Sequence, residues 1–403
     1  VRVLFLSDLE TLGGAGLSAS RLAAGLAAKG VEVTRFFNNP ARAPHLEPVT
    51  WTSRYVGPAR PAEVVLNGAR RIFPQVSRAA GRALSGLLLR KAIAETRFDL
   101  LHIHSIQNCD WSHEVLGTLD GSLPTVWTFH DCWSFAAESQ RYRDLDGHDV
   151  RLKPDGDDRE AALRMRKRYF DSRKHLALIA NSEFTAREAD KLLGIRPEVI
   201  LPGTPLSRFR PVPREAARQS LRLPVDANVL LFVADNPSDP LKGFEVLRRA
   251  LGRLDREDVI LMVAGEAPAN LPAAGRAQLR SFGRVLAPEL LAIVYSAADA
   301  LVVPSLAEGL GMVSMESIAC GTPVVGSAVG GIPEVVLPET TGWLVPPGQP
   351  EALVRRLTEL FAEPAARSAM AARCRPYAEA HWSIERHVEQ HLALYSRLLA
   401  HLD

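Results

Sequence analysis

Short apolar runs, each closed by turn formers and followed by a helical stretch, recur along this chain, and that alternation constrains the fold more than any other feature. Val3-Leu4-Phe5-Leu6 leads through a glycine-rich turn into a helical stretch from Ser18 to Lys29 and then into a second run from Val31 to Phe37. Strand, helix, strand in this order is a parallel unit, because parallel strands need a crossover that a tight turn cannot supply. Leu100 to Ile103, Val126 to Phe129 and Leu176 to Ala180 continue the series, apolar throughout as strands buried on both faces should be. A turn-rich stretch from Val199 to Pro213 then reads as a hinge. Beyond it a second series begins: Val229 to Ala234, Val259 to Ala264, Ala300 to Val303, Pro323 to Gly326 and Trp343 to Val345.

The 403 residues exceed one ordinary core. The pattern therefore predicts an α/β protein of two Rossmann-like, doubly wound domains, residues 1–200 and 201–382, facing each other across a cleft. A helix over 383–403 is expected to cross back to the first domain. Phe244, Leu247, Leu251 and Leu254 fall three or four apart, so the helix after Lys242 should lay one apolar face on the second sheet.

With 48 basic against 46 acidic residues, the formal charge of +2 gives no global reason to expect a nucleic-acid partner. Cys109, Cys132, Cys320 and Cys374 show neither a CxxC pair nor regular spacing, which argues against a zinc site or a disulfide framework and favours a reducing, cytoplasmic setting. The opening apolar run is too short for a signal peptide, and no run is long enough for a transmembrane helix. An Arg-rich segment, 54–97, reads first as a solvated amphipathic face; peripheral contact with the inner face of a membrane stays open.

Three stretches have the residue types that chemistry needs. Gly13-Gly14 follows a strand and precedes a helix, where backbone amides can meet a negative charge. It is not a dinucleotide fingerprint, since the second strand runs into Asn38-Asn39 where an acidic residue would hold a ribose. His130 ends a strand at the edge where doubly wound sheets keep their ligands, whereas His102 and His104 read as core or rim residues. The richest stretch runs from Pro304 through Glu308, Gly309, Gly311, Met312, Val313 and Glu316 to Gly321-Thr322-Pro323, then Gly330-Gly331-Ile332-Pro333-Glu334. Glu308 lies in the loop after a strand and Glu316 about a turn into the next helix, so both can face one ligand at a helix N-terminus.

Glu308 through Pro333 resembles the signature of the retaining glycosyltransferases of family four, which have the two-domain glycosyltransferase-B fold. The likeness extends over most of the chain through Gly13-Gly14, His130-Asp131, Asn181-Ser182, Lys242-Gly243, Ala264-Gly265 and Phe282-Gly283. The resemblance implies that Glu308 holds the donor sugar and helps a developing positive charge, while Glu316 binds the nucleotide's ribose. It implies that amides around Gly309, Gly311, Met312 and Val313 take the diphosphate, that Lys242 neutralises the leaving group, and that His130 contacts the donor sugar. The Gly13-Gly14 loop would lie against diphosphate or acceptor. The activity implied is metal-independent, cofactor-free, retaining transfer of a hexose from a UDP- or GDP-sugar to a glycan or lipid-linked acceptor, in bacterial polysaccharide or glycoconjugate synthesis.

Two departures from the family pattern stand out. The arginine usual before the lysine is missing from Val233 to Lys242, which leaves three readings open: weaker diphosphate binding, recruitment of another cation such as Arg284, or a subgroup with altered donor contacts. Pro202-Gly203 replaces the usual Pro-Asn at the hinge. Alternative readings of the whole chain are a nucleotide-sugar 2-epimerase and a catalytically inactive carbohydrate-binding scaffold of the same fold. Asp144-Leu145-Asp146 has the letters of a metal motif without its context. Oligomeric state is silent in the sequence.

Overall fold

A computed structural model describes residues 1–7, 13–38, 50–56, 74–106, 111, 116–117, 119, 121–136, 140–143, 149–152, 159–266 and 272–401. Its first sheet contains β1 (Arg2–Ser7), β2 (Glu32–Phe37), β3 (Thr52–Tyr55), β4 (Leu100–Ile103), β5 (Thr125–Phe129), β8 (Leu176–Ala180) and β9 (Glu198–Val199). They lie in the order β3-β2-β1-β4-β5-β8-β9, all parallel. Helices α1 (Gly13–Ala28), α2 (Pro74–Ala94), α3 (Trp133–Ala136), α4 (Arg159–Asp171) and α5 (Glu183–Leu193) connect or flank them, and β6 (Gln140–Arg143) pairs with β7 (Asp149–Leu152) as a separate antiparallel hairpin.

The second sheet orders β10 (Asn228–Val233), β11 (Val259–Ala264), β12 (Gln278–Ser281), β13 (Ala300–Val303), β14 (Val324–Ser327) and β15 (Gly342–Val345) as β12-β11-β10-β13-β14-β15, again parallel. Its helices are α6 (Arg214–Ser220), α7 (Phe244–Leu254), α8 (Pro288–Ala297), α9 (Met312–Ala319), α10 (Ile332–Val335), α11 (Pro350–Ala362) and α12 (Pro364–His381), with α13 (Ile384–Ala400) beyond them. Side-chain alternation explains why both faces of each sheet need a cover. In β1, Val3 and Phe5 pack into one apolar cluster and Leu4 and Leu6 into another; in β10, Val229 and Leu231 part from Leu230 and Phe232 in the same way. Each such side chain contributes roughly 1.5–3 kcal/mol when buried. Helix α7 lays Phe244, Val246, Leu247, Ala250 and Leu251 on the second sheet.

In both sheets the strand order reverses beside the first strand of the series, between β1 and β4 and between β10 and β13. A crevice opens at the carboxyl ends of the strands at such a point. The polypeptide crosses between sheets twice, side by side: Thr204 N–H donates to the Trp382 carbonyl at 2.9 Å and Ile384 N–H to the Thr204 carbonyl at 3.1 Å. Gly203 fits there because a β-carbon would stand 2.7 Å from the Ile384 Cα. The asparagine common in the family has no room at that point. After this crossing α13 packs along α1, and Val388, Leu394 and Tyr395 join the apolar cluster of β1 and α1.

Five of the strands carry no apolar run in the sequence. β3 and β12 are polar edge strands with alternate residues exposed, β9 is two residues long, and the β6–β7 hairpin carries few apolar residues. Helix α1 begins at Gly13, ahead of the expected Ser18, because its first turn needs no internal partner for its N–H groups and so tolerates glycine. Of the Arg-rich segment, residues 57–73 lie outside the described residues, as do Cys109 and Asp144-Leu145-Asp146; Arg54 pairs with Glu95 and Arg90 is exposed. Among the described residues no helix is long and apolar enough to cross a membrane.

A row of buried histidines joins β4 to α13. His102 Nδ1 lies 2.6 Å from the Tyr395 hydroxyl and Nε2 2.7 Å from Thr128 Oγ1, while the His391 ring stacks on His102 with centroids 5.6 Å apart. His387 and His391 turn Nδ1 to the carbonyls of Leu201 and His387, at 2.7 and 2.8 Å. Burial pulls His102, His104 and His387 well below the ordinary 6.5 and His391 down to about 4. Between those values and 6.5 the unfolded chain binds more protons than the folded one, so stability is full above pH 6.5 and declines as pH falls, by roughly 1.4 kcal/mol per unit for each ring. The urea midpoint is expected to drop clearly between about pH 7.5 and 5.5, and less steeply in His391→Gln; a midpoint flat over that interval would mean the rings are charged or solvated.

Candidate active site

Lys242 and Glu308 come from loops that follow β10 and β13, the two strands at the second switch point. Their loops are locked together: Leu306 N–H donates to the Leu241 carbonyl at 2.8 Å, and Gly243, at φ +69°, presses so close to the Pro304 carbonyl that a β-carbon would stand 1.9 Å from its oxygen. Only glycine takes both that dihedral and that approach. The Lys242 Nζ consequently lies 2.8 Å from Glu308 Oε2, and the Glu308 carboxylate raises the lysine's pKa above its ordinary value. Lys242 is therefore a fixed positive charge at any physiological pH.

Eight residues on, Glu316 stands in α9, whose N-cap is Gly311 and whose first residues are Met312 and Val313. The N–H groups of that first turn have no partner within the helix, and the helix dipole adds to their positive potential. The N-terminus of α1 meets them from the other domain, since a β-carbon on Gly14 would lie 3.8 Å from the Met312 sulfur. Gly13, with φ +69°, opens that helix. Two helix N-termini thus converge on one place, an arrangement suited to a phosphate group.

Glu316 is gripped from both domains. Arg21, two turns into α1, reaches its Oε1 at 2.5 Å, and the Tyr295 hydroxyl donates to Oε2 at 3.0 Å. The side chains of the ion pair are only 9% and 5% exposed, and the Arg21 guanidinium also lies 5.2 Å from the centre of the Phe209 ring.

His130, half-buried after β5, faces the Glu308 loop through Asn181 and Ser182. Asn181 Nδ2 donates to the His130 carbonyl at 2.8 Å, and Ser182 Oγ to the Gly309 carbonyl at 3.0 Å. Burial lowers the pKa of His130 to about 4, so its ring is neutral. A third interdomain contact closes the same side: the Glu334 carboxylate accepts the N–H groups of Glu183 and Phe184, both at 2.7 Å, at the start of α5. Burial raises the Glu334 pKa while those two donors oppose the rise. Arg284, in the loop after β12, is held by Glu266 at 2.6 Å and Asp235 at 3.0 Å. Asp235 also contributes to the field at Lys242, so its charge acts on both cations. Among the described residues no group of three or more His, Cys, Asp or Glu side chains could hold a metal ion.

Two family models divide the chain between them, Glycosyltransferase Family 4 over residues 12–208 and Glycosyl transferases group 1 over residues 213–381. A D-inositol 3-phosphate glycosyltransferase of Actinosynnema mirum is 33% identical over 330 residues, 75% of this chain and 75% of that protein. This chain belongs to glycosyltransferase family 4. A protein of the same description from Saccharomonospora viridis is 35% identical over 243 residues, and there the match spans 56% of the relative's length. In three dimensions the chain is similar to sucrose-phosphate synthase of Thermosynechococcus elongatus (TM-score 0.76, 24% identity, 99% of both chains). It is also similar to Anabaena HepE in complex with UDP and glucose (TM-score 0.68, 18% identity, 98% of this chain and 99% of that one). These likenesses, with the two facing parallel sheets, show the glycosyltransferase-B fold.

Against this family background, the structure brings Gly14, Met312 and Glu316 into one neighbourhood and Lys242 with Glu308, while Arg284 is drawn off by two carboxylates. Arg21, Tyr295 and Glu334 had no role assigned from sequence. Arg21 sits in an Ala-rich helix with no motif around it, and only the meeting of α1 with α9 reveals its partner. Breaking a nearly buried ion pair leaves a carboxylate uncompensated, so Arg21→Met should cost about 3 kcal/mol in chemical denaturation. Adding Glu316→Gln should recover part of that loss, whereas simple additivity of the two changes would show that the pair does not interact.

Proposed function

We propose that this chain transfers a hexose from a UDP- or GDP-sugar to a hydroxyl of a glycan or lipid-linked acceptor, with retention at the anomeric carbon and without a metal. One observation carries the reading: the facing switch points bring a lysine–carboxylate pair, Lys242 and Glu308, and a helix N-terminus carrying Glu316 opposite His130. The donor diphosphate would lie across the amides of Gly309, Gly311, Met312 and Val313, with Gly13 and Gly14 on its other side. Glu316 would take the ribose hydroxyls, and Arg284 would stand at the donor rim.

As the bond from the anomeric carbon to the phosphate oxygen breaks, negative charge grows on the diphosphate and positive charge on the sugar. Lys242 and the helix amides are already in place for the first, and Glu308 for the second, so no reorganisation is needed at the moment of reaction. The acceptor oxygen would form its bond on the face that the leaving group vacates, passing its proton to the departing phosphate oxygen. A basic side chain and two helix N-termini supply the field that a divalent ion gives other transferases. Support for glycosyl transfer comes from the relatives described as D-inositol 3-phosphate glycosyltransferases, and support for a nucleotide-sugar donor from HepE, solved with UDP and glucose.

A thermal-shift series with UDP, GDP, ADP and dTDP, with and without magnesium, tests the donor site directly, since a ligand of the folded state raises its stability. Stabilisation by UDP or GDP that is independent of magnesium and lost in Glu316→Ala is the expected outcome. Lys242→Met should lower kcat by roughly 10²–10³ with little change in nucleotide affinity, and Glu308→Ala should abolish transfer. Full activity in Glu308→Ala would sink the assignment of roles. Release of free epimerised nucleotide sugar would favour the epimerase, and no shift with any nucleotide the inactive scaffold.

A further inference from the structure

His104 follows β4 and its ring is buried, 4.1 Å from the stacked His102 ring and 4.7 Å from the Phe5 ring, centre to centre. Its Nδ1 lies 3.1 Å from His130 Nε2. Its Nε2 is buried with no hydrogen-bond partner. Two neutral imidazoles sharing one hydrogen bond can place the bridging proton on either ring, and each choice fixes where both rings carry their remaining hydrogens.

If His130 Nε2–H donates, the His104 proton must sit on Nε2, where a buried N–H finds no acceptor. If His104 Nδ1–H donates, His104 Nε2 keeps only an unfilled lone pair. Orphaned buried donors are rarer in proteins than under-satisfied acceptors, which favours the second arrangement. His130 then accepts at Nε2 and must carry its own hydrogen on Nδ1. That nitrogen makes no hydrogen bond among the described residues, and His130 as a residue is only half-buried.

We infer that His104 is a positioning residue that sets the tautomer of His130, so that His130 offers the bound sugar an Nδ1–H donor instead of a lone pair. The sugar-facing role of His130 is the one the family resemblance implies for the proposed transfer, and the inference rests on it; the tautomer itself does not. An N–H donor is complementary to a hydroxyl or other acceptor oxygen on the transferred sugar. A sugar lacking oxygen at that position leaves the donor unpaired, which gives the site a means of discrimination.

The native full chain labelled with ¹⁵N-histidine decides the tautomer at neutral pH, with the His130 signals identified by their loss in His130→Gln. A protonated Nδ1 and bare Nε2 on His130 are expected; the reverse pattern overturns the inference whether or not the chain transfers sugar. Activity variants test the positioning. His104→Asn puts an N–H donor close to the place of Nδ1 and should keep kcat/KM within about tenfold of the native chain, a change of one hydrogen bond's order. His104→Asp puts an acceptor there, should turn His130 to the Nε2–H form, and should lower kcat/KM at neutral pH by more than tenfold, with part of the loss regained at acid pH where the doubly protonated ring again carries Nδ1–H. Equal activity and equal pH profiles in the two variants would overturn the positioning role. Absence of transfer in every form, with the Nδ1–H pattern intact, would instead count against the proposed function.

Discussion

Parallel strands cannot be closed by tight turns, and everything functional in this molecule depends on that constraint. Each strand must return through a helix, so every strand delivers its loop to the same edge of its sheet. Two such edges face each other here. Lys242, Glu308 and the start of α9 come from one of them, and Gly13, Gly14 and His130 from the other. The charged and polar groups are gathered by topology before any of them touches another. The fine spacing is then set by close backbone approach, as where Gly243 presses on the Pro304 carbonyl and brings the Lys242 loop against the Glu308 loop.

Burial explains why these groups are paired as they are. A charge taken out of water needs a partner, and each carboxylate of the cleft finds one: Glu308 on Lys242, Glu316 on Arg21 and Tyr295, Glu334 on the amides that start α5. Two of these three pairings cross between domains. The electrostatics of the site and the contact between its two halves are therefore one system, and a substrate whose phosphates or hydroxyls engage these side chains also bears on how the halves meet.

Much of this was legible in the residues. Interior strands such as Val259–Ala264 are apolar on both faces and announce themselves, and the run from Glu308 to Glu316 places a loop, a helix start and two carboxylates in one readable order. The edge strands β3 and β12 stay hidden because a half-exposed strand such as Gln278–Ser281 carries no apolar run, whereas the buried edge strand β15 does. Arg21 and His104 were hidden for a different reason. Each acquires its partner from an element far away in sequence, Glu316 in one case and His130 in the other, and no local pattern encodes an encounter over that separation. The glycine-rich opening reads as a turn in the sequence because glycine is a poor helix former, whereas Gly13 and Gly14 belong to the first turn of α1, where that weakness costs little.

The double crossing at Thr204 and Ser383 bears on how such a chain could be recombined. The two sheets with their helices look like modules that invite exchange between relatives, yet the first module is discontinuous: β1, α1 and α13 share one apolar cluster, and the Tyr395 hydroxyl hydrogen-bonds His102 in its interior. A chimera joined only near residue 200 would set a foreign last helix against α1 and leave His102 facing a residue it did not evolve beside. Grafting the module intact takes two junctions, one at each of the adjoining crossings, so that the final helix travels with the sheet it covers.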